Sequence, residues 1–173
     1  MRLQSYDYQP VVDMLVKLGN QLNRPNYRFL KGDVIAMAIE KATHGRLKYD
    51  DAVGYDSVDK VNGLKYEIKS VTKAFSKDDT ISGKINLCNT YKINGTKFNR
   101  TFDFLLVVQS DPETFAIAMF DWETCNANHY FMDGQYNLNR GLKVSEWICK
   151  DKTVVKSLPP IKLDVKKLLE TVL

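Results

Sequence analysis

The feature that most constrains this 173-residue chain is the dipeptide Asn62-Gly63, which stands between two runs containing β-branched and aromatic residues. A two-residue type I′ turn needs a positive φ at both central positions, and Asn-Gly is among the pairs that adopt it most readily. The pattern therefore predicts a β-hairpin over residues 54–70, with Asn62-Gly63 as its turn.

The predicted register gives this hairpin one charged face. It places Val58 opposite Glu67 and Asp56 opposite Lys69, and residues two apart on one strand share a face. Opposed Cβ atoms lie about 5 Å apart and diagonal ones about 7 Å apart, so Asp56 and Glu67 can hold one divalent cation beside the Lys69 ammonium. Such a set suits metal-assisted phosphoryl transfer, although the same pattern also occurs on ordinary solvated sheet faces.

The hairpin sequence resembles a nuclease signature. Asp56 followed by Glu67-Ile68-Lys69 is similar to the PD-(D/E)xK motif. The longer string resembles the PvuII-type branch of type II restriction endonucleases, and it reads Gly54-x-Asp56-x-Val58-Asp59, then Tyr66-Glu67-Ile68-Lys69-Ser70. The resemblance implies the restriction-endonuclease-like fold, in which a central mixed β-sheet is flanked by helices.

The motif leads to an expected chemistry. Asp56, Glu67 and the Ile68 carbonyl would hold one or two Mg²⁺ ions, which polarise the scissile phosphate and lower the pKa of a bound water. Lys69 would help to orient and deprotonate that water and stabilise charge on the phosphate oxygens. The resemblance implies products with 5′-phosphate and 3′-hydroxyl ends. Asp59 would replace Asp56 if a bulge interrupts the first strand, and the sequence leaves both open.

One such site cuts one strand, so cleavage of double-stranded DNA predicts a homodimer that reads a short palindromic sequence. A restriction enzyme also implies a cognate DNA methyltransferase in the host, without a stable complex between the two. Two alternatives stay open. One is a structure-specific repair or junction-resolving nuclease with the same site, and the other is a DNA-binding protein whose acid pair has no catalytic role.

The distribution of charge points to nucleic acid. Residues 72–101 carry six basic and two acidic side chains, which accounts for the net charge of +4. Basic side chains bind phosphates, while Asn pairs with adenine edges and Arg with guanine edges. The predicted DNA contacts in this segment are Lys73, Lys77, Lys84, Asn86, Asn89, Lys92, Asn94, Lys97 and Arg100. A second polar segment, 123–143, adds Asn137, Asn139 and Arg140. Ordinary solvated loops are the alternative interpretation.

Length and composition indicate one compact domain over residues 1–173 with a buried core, and the resemblance implies that it is a nuclease domain. No apolar run approaches the length of a membrane span, which predicts a cytoplasmic protein. The three cysteines, Cys88, Cys125 and Cys149, lack metal-binding spacing and argue against a zinc site or a disulfide framework.

Periodicity predicts helices over 9–23, 31–44 and 163–173, and buried strands over 102–108 and 114–120. Residues 145–150 fit a strand or a helix. The polar segments 72–101 and 123–143 are predicted to be loops that project over the catalytic edge of the sheet. Two roles are open for the N-terminal helical part, residues 1–45, since its first helix can form a dimer interface or cover its own core.

Overall fold

The computed structural model describes Val11 and residues 28–88, 98–110 and 115–151. Its elements in chain order are helix α1 (Arg28–Ala42), strands β1 (Leu47–Ala52), β2 (Tyr55–Asp59), β3 (Lys65–Val71), β4 (Asn86–Cys88), β5 (Phe104–Ser110) and β6 (Phe115–Asp121), helix α2 (Trp122–Ala127), and strands β7 (His129–Met132), β8 (Gln135–Leu138) and β9 (Glu146–Asp151). Apart from the buried, helical Val11, the predicted helices 9–23 and 163–173 lie outside the described residues.

Six strands form a mixed sheet in the order β1-β2-β3-β5-β6-β9. Strands β3 and β5 are parallel, and the other neighbours are antiparallel. The central position of β5 and β6 agrees with their uninterrupted apolar sequences, because a strand covered on both faces has no solvated side. The prediction of a mixed α/β domain with a central sheet is confirmed, and residues 145–150 belong to a strand.

Helix α1 covers one face of this sheet and confirms the helix predicted over 31–44. Ile35, Ala38 and Ile39 point inward and are buried, as their spacing predicts. The helix ends before Gly45, whose N–H donates to the Glu40 carbonyl at 2.8 Å and whose φ of 78° is easily adopted only by glycine.

Alternate residues of β5 serve two separate cores. Leu106 and Val108 pack in the core under α1, whereas Leu105 and Val107 pack in a second core on the opposite face. Because opposed residues of paired strands share a face, Glu67, the partner of Leu105, lies on the side of the second core.

A three-stranded antiparallel sheet, β4-β8-β7, contributes to that second core. It corrects the expectation that both polar segments are loops. Strands β7 and β8 meet at Asp133-Gly134, whose φ angles of 55° and 73° form the type I′ turn for which Asp-Gly is suited. These strands are rich in polar residues, which is why the sequence suggested a loop. Their inward-facing residues, such as Tyr136 and Leu138, are nevertheless buried.

Short helix α2 follows β6 directly. The Asp121 side chain accepts a hydrogen bond from the Thr124 N–H at 2.7 Å and so caps the helix, as expected for an acid at a strand end. Within the helix, burial raises the pKa of the Cys125 thiol to about 12, with a smaller contribution from the Asp121 charge. In the described part of the chain, no helix is long and apolar enough to cross a membrane.

Candidate active site

The β2–β3 hairpin exists, but its turn is longer than predicted. The Asp59 N–H donates to the Leu64 carbonyl at 2.9 Å, and the Gly63 N–H donates to the Asp59 carbonyl at 2.7 Å. Four residues, Lys60 to Gly63, therefore connect the paired positions. Gly63 has a φ of 73°, whereas Asn62 does not adopt the positive φ that a type I′ turn requires. The predicted two-residue turn is wrong.

The register shifts with the turn. Val58 stands opposite Lys65, and Ser57 opposite Tyr66. The predicted pairing of Val58 with Glu67 is therefore wrong, and so is the register that set Asp56 opposite Lys69. The paired positions end at Ser57 and Tyr66, and beyond them the Ile68 N–H donates to the Asp56 carboxylate. The shift is two residues, and an even shift keeps every side chain on its face. Asp56 and Glu67 stay on the same side of the hairpin, where the Asp56 charge contributes to a raised pKa of Glu67.

Gly54 fixes where β2 begins. It completes the two-residue connection between β1 and β2, with Ala52 paired to Tyr55, and has a φ of 95°. A Cβ atom at Gly54 would lie 2.5 Å from the Thr101 Cβ, a distance that carbon atoms do not reach without displacement. Glycine is therefore required two residues before Asp56.

The Asp56 carboxylate is held by the neighbouring strand. Its Oδ2 accepts a hydrogen bond from the Ile68 N–H at 2.6 Å. The carboxylate therefore reaches the backbone of β3 between Glu67 and Lys69. This contact brings it beside the Ile68 peptide, whose carbonyl is the predicted backbone ligand.

Glu67 is buried with only 4% of its surface exposed. Burial raises its pKa to about 7, because an ionised carboxylate loses hydration there; the Asp56 charge adds to the rise and Lys69 opposes it. The Lys69 ammonium forms an ion pair with Glu67 Oε1. The three predicted catalytic residues thus form one group of two carboxylates and one ammonium.

Asp59 has a different role. Its carboxylate accepts bonds from Arg46 Nε at 3.0 Å and Nη2 at 2.7 Å, and from the Val61 N–H at 2.9 Å. Burial would raise the pKa of Asp59, but these donors outweigh it and lower the pKa. Asp59 lies three residues after Asp56 on β2, so alternation sets the two side chains on opposite faces. The Asp56 charge is the one that contributes to the raised pKa of Glu67. Asp56 is therefore the acid that stands with Glu67.

The residues present fit a Mg²⁺ ion that is completed by water and substrate. Asp56 and Glu67 supply hard oxygen donors. Burial, and to a smaller extent the Asp56 charge, raises the pKa of Glu67, and a bound cation would stabilise its ionised form. Within the described ranges, no cluster of three or more acidic, histidine or cysteine side chains forms a metal site. Mg²⁺ commonly takes one or two carboxylates and fills its other positions with water and phosphate oxygens.

The predicted DNA-binding cations occupy varied surroundings. Lys73, Lys77 and Arg140 are exposed. Lys84 lies 3.8 Å from an Asp133 carboxylate oxygen. Arg100 is engaged within the protein, because its guanidinium donates to Asp103 at 2.6 Å and to Glu123 at 3.3 Å. Asn89, Lys92, Asn94 and Lys97 lie outside the described residues.

The asparagines predicted to contact base edges also differ in their exposure. Asn86 in β4 stands opposite Asn137 in β8, and Asn137 is fully buried, so it offers no surface to a base edge in this arrangement. The Oδ1 atoms of both residues are buried without a hydrogen-bond partner among the described residues. Asn139 is half-buried, and its N–H donates to the Asn128 carbonyl.

Sequence reasoning missed Arg46, and no local signal could have found it, because its partner Asp59 lies 13 residues further along the chain, on β2. No model of a known protein family matches the chain, and no curated protein matches it significantly. Interpretation of the site therefore rests on its geometry and on the motif.

Proposed function

We propose that this protein is a Mg²⁺-dependent type II restriction endonuclease with the restriction-endonuclease-like fold. Its substrate is double-stranded DNA with a specific short, palindromic sequence, and its products carry 5′-phosphate and 3′-hydroxyl ends. It acts as a homodimer, because each subunit has one site and a duplex has two strands.

The observation that carries the proposal is the group formed by Asp56, Glu67 and Lys69. The Asp56 carboxylate on β2 accepts the Ile68 N–H next to Glu67 on β3, and the Lys69 ammonium contacts Glu67. A solvated sheet face would leave these side chains in water, whereas Glu67 is buried. Burying a carboxylate beside a second acid is costly unless a cation or a proton compensates it. Such an arrangement is typical of functional sites.

Each residue has a role in hydrolysis. When bound, Mg²⁺ supplies a Lewis acid for a phosphate oxygen and a lower pKa for water. Asp56 and Glu67 would hold the ion, and the Ile68 N–H fixes the orientation of the Asp56 carboxylate. Lys69 donates a hydrogen bond to Glu67 in the free protein. With a cation on Glu67, the Lys69 ammonium would be available to the attacking water and to the charge that develops on the phosphate.

The surrounding architecture supports this proposal. Strands β2 and β3 of the hairpin are interior strands of the mixed sheet. Strand β3, which carries Glu67 and Lys69, pairs on its other edge with the parallel strand β5. Catalytic groups on adjacent strands are held more rigidly than groups on loops. Exposed Lys73 and Lys77 follow β3 in the chain and supply positive charge for the DNA backbone.

The test is digestion of a long, unmethylated duplex DNA of known sequence, with Mg²⁺ or with EDTA, followed by electrophoresis of the products. We expect discrete bands only with Mg²⁺, because two carboxylates need a cation to act on a phosphodiester. The Glu67→Gln variant is the matched control for a contaminating nuclease, and it should leave the DNA intact.

Other outcomes identify the alternatives. A smear would mean a nonspecific nuclease. Cleavage confined to branched DNA in a parallel reaction would favour a junction-resolving enzyme. Failure to cut any substrate, with DNA binding retained, would leave a DNA-binding protein and refute the nuclease proposal.

A further inference from the structure

A second lysine lies in the row of Glu67 and Lys69 on β3. Lys65, Glu67 and Lys69 occupy alternate positions, so their side chains share one face of the strand. Lys65 is paired with Val58, which in turn shares the face of Asp56 on β2. The buried Glu67 is thus flanked along β3 by a lysine on either side, and Lys65 is the exposed one.

The backbone of Lys65 is fixed. Its N–H donates to Asp103 Oδ2 at 2.9 Å, and its carbonyl accepts from the Asp103 N–H at 2.8 Å. Burial alone would raise the pKa of Asp103. The hydrogen bonds from the Lys65 N–H and from Arg100, together with the positive charges of both side chains, outweigh burial and lower the pKa. Arg100 pairs with Asp103, which in turn fixes the start of β3.

The Lys65 side chain is directed by an aromatic ring. Its ammonium lies 4.8 Å from the centroid of the Tyr55 ring. A ring attracts a cation through its quadrupole and leaves the positive charge intact, whereas a carboxylate neutralises it. Lys65 therefore keeps its charge for an external anion, while Lys69 is paired with Glu67 in the free protein.

We propose that Lys65, positioned by Tyr55, binds a phosphate of the cleaved DNA strand close to the scissile one. This inference rests on the proposed nuclease function. Residues two apart on a strand are about 6.7 Å apart, and each DNA strand carries one phosphate per 3.4 Å of helix axis, so Lys65 reaches a phosphate within about two nucleotides of the one at Glu67. The contact positions the strand and carries no sequence information.

The salt dependence of DNA binding tests this contact. Each phosphate that a protein neutralises adds about 0.9 to the slope of log K against log salt concentration. Affinity would be measured for a duplex containing the mapped cleavage site, in the Glu67→Gln background that leaves DNA intact. We expect Lys65→Gln to reduce the slope by about one, equally for cognate and non-cognate duplexes.

Lys60→Gln is the matched control, because Lys60 is also an exposed lysine but lies in the hairpin turn. It should leave the slope unchanged. Equal slopes for Lys65→Gln and the background protein would overturn the inference, as would an equal loss from Lys60→Gln. A wild-type protein that neither binds nor cuts DNA would instead refute the proposed function.

Tyr55 provides an independent check. Tyr55→Phe keeps the ring and should keep DNA affinity, whereas Tyr55→Leu removes the ring and should weaken binding about two- to fivefold, the equivalent of an exposed cation–π contact. Combining Tyr55→Leu with Lys65→Gln should add nothing to the effect of Lys65→Gln alone. Independent, additive losses would contradict a role of Tyr55 through Lys65.

Discussion

The substitution Glu67→Gln should stabilise the metal-free protein at neutral pH. In the folded state, burial raises the pKa of Glu67 from its ordinary 4.5 to about 7. Since one pKa unit corresponds to 1.36 kcal/mol, the ionised side chain costs the folded state about 3 kcal/mol at pH 7. Glutamine has the shape of the protonated acid and avoids this cost.

The sign follows from proton linkage. The folded protein binds the Glu67 proton more tightly than the unfolded chain does, so its stabilising effect is complete below pH 4.5 and is lost as the pH rises to about 7. The difference in unfolding free energy between Glu67→Gln and wild type should therefore grow from near zero at pH 4.5 to about 3 kcal/mol at pH 7.

Urea unfolding in EDTA at these two pH values measures the difference. Glu123→Gln is the control, because the Glu123 side chain is 72% exposed and loses little hydration on folding. Its difference from wild type should be small and should not depend on pH. A Glu67→Gln variant that is no more stable than wild type at pH 7 would refute the argument that this carboxylate is held at a cost to stability.

Three further predictions concern the scaffold, and urea unfolding checks each of them. Asp59→Ala should lower the free energy of unfolding by about 3–5 kcal/mol, because it leaves Arg46 buried without its partner. Arg46→Met combined with Asp59→Leu should lower it much less, and equal losses of stability in the two variants would contradict the role of the pair. Gly54→Ala should destabilise by about 1–3 kcal/mol through its positive φ and the Thr101 contact, and Thr101→Ala should recover part of the loss. Asp121→Ala should cost about 1 kcal/mol by removing the cap of α2, and an unchanged midpoint would rule out that cap.

The hairpin shows how far sequence patterns reach. Alternation predicts that Asp56, Glu67 and Lys69 share one face. In the structure Lys69 contacts Glu67, and the Asp56 charge contributes to the raised pKa of Glu67. The register was wrong because the Asp59 carboxylate accepts the Val61 N–H and the Asn62 side chain accepts the Leu64 N–H, which stabilises a four-residue turn. Side-chain bonds of this kind compete with the backbone preference of Asn-Gly.

Long-range partners account for the remaining differences. Asn137 has the polarity of a surface residue, yet its strand pairs with β4 from a distant segment and buries it. Arg100 lies in a basic segment, yet its guanidinium forms ion pairs with Asp103 and Glu123. Asp133-Gly134 is a turn pair that predicts the β7–β8 hairpin, but the polar composition of the segment favoured a loop. Lys65 was also accessible to sequence reasoning, because it shares the alternation of Glu67 and Lys69.

Cleavage and DNA binding by Glu67→Ala and Lys69→Ala, measured with Mg²⁺ on the same duplex, test the central claim most directly. If Asp56, Glu67 and Lys69 form a hydrolytic site, each variant should cut roughly 10³-fold more slowly than wild type and should still bind the duplex, since both groups act mainly on the transition state. Cleavage at the wild-type rate by either variant would contradict the account.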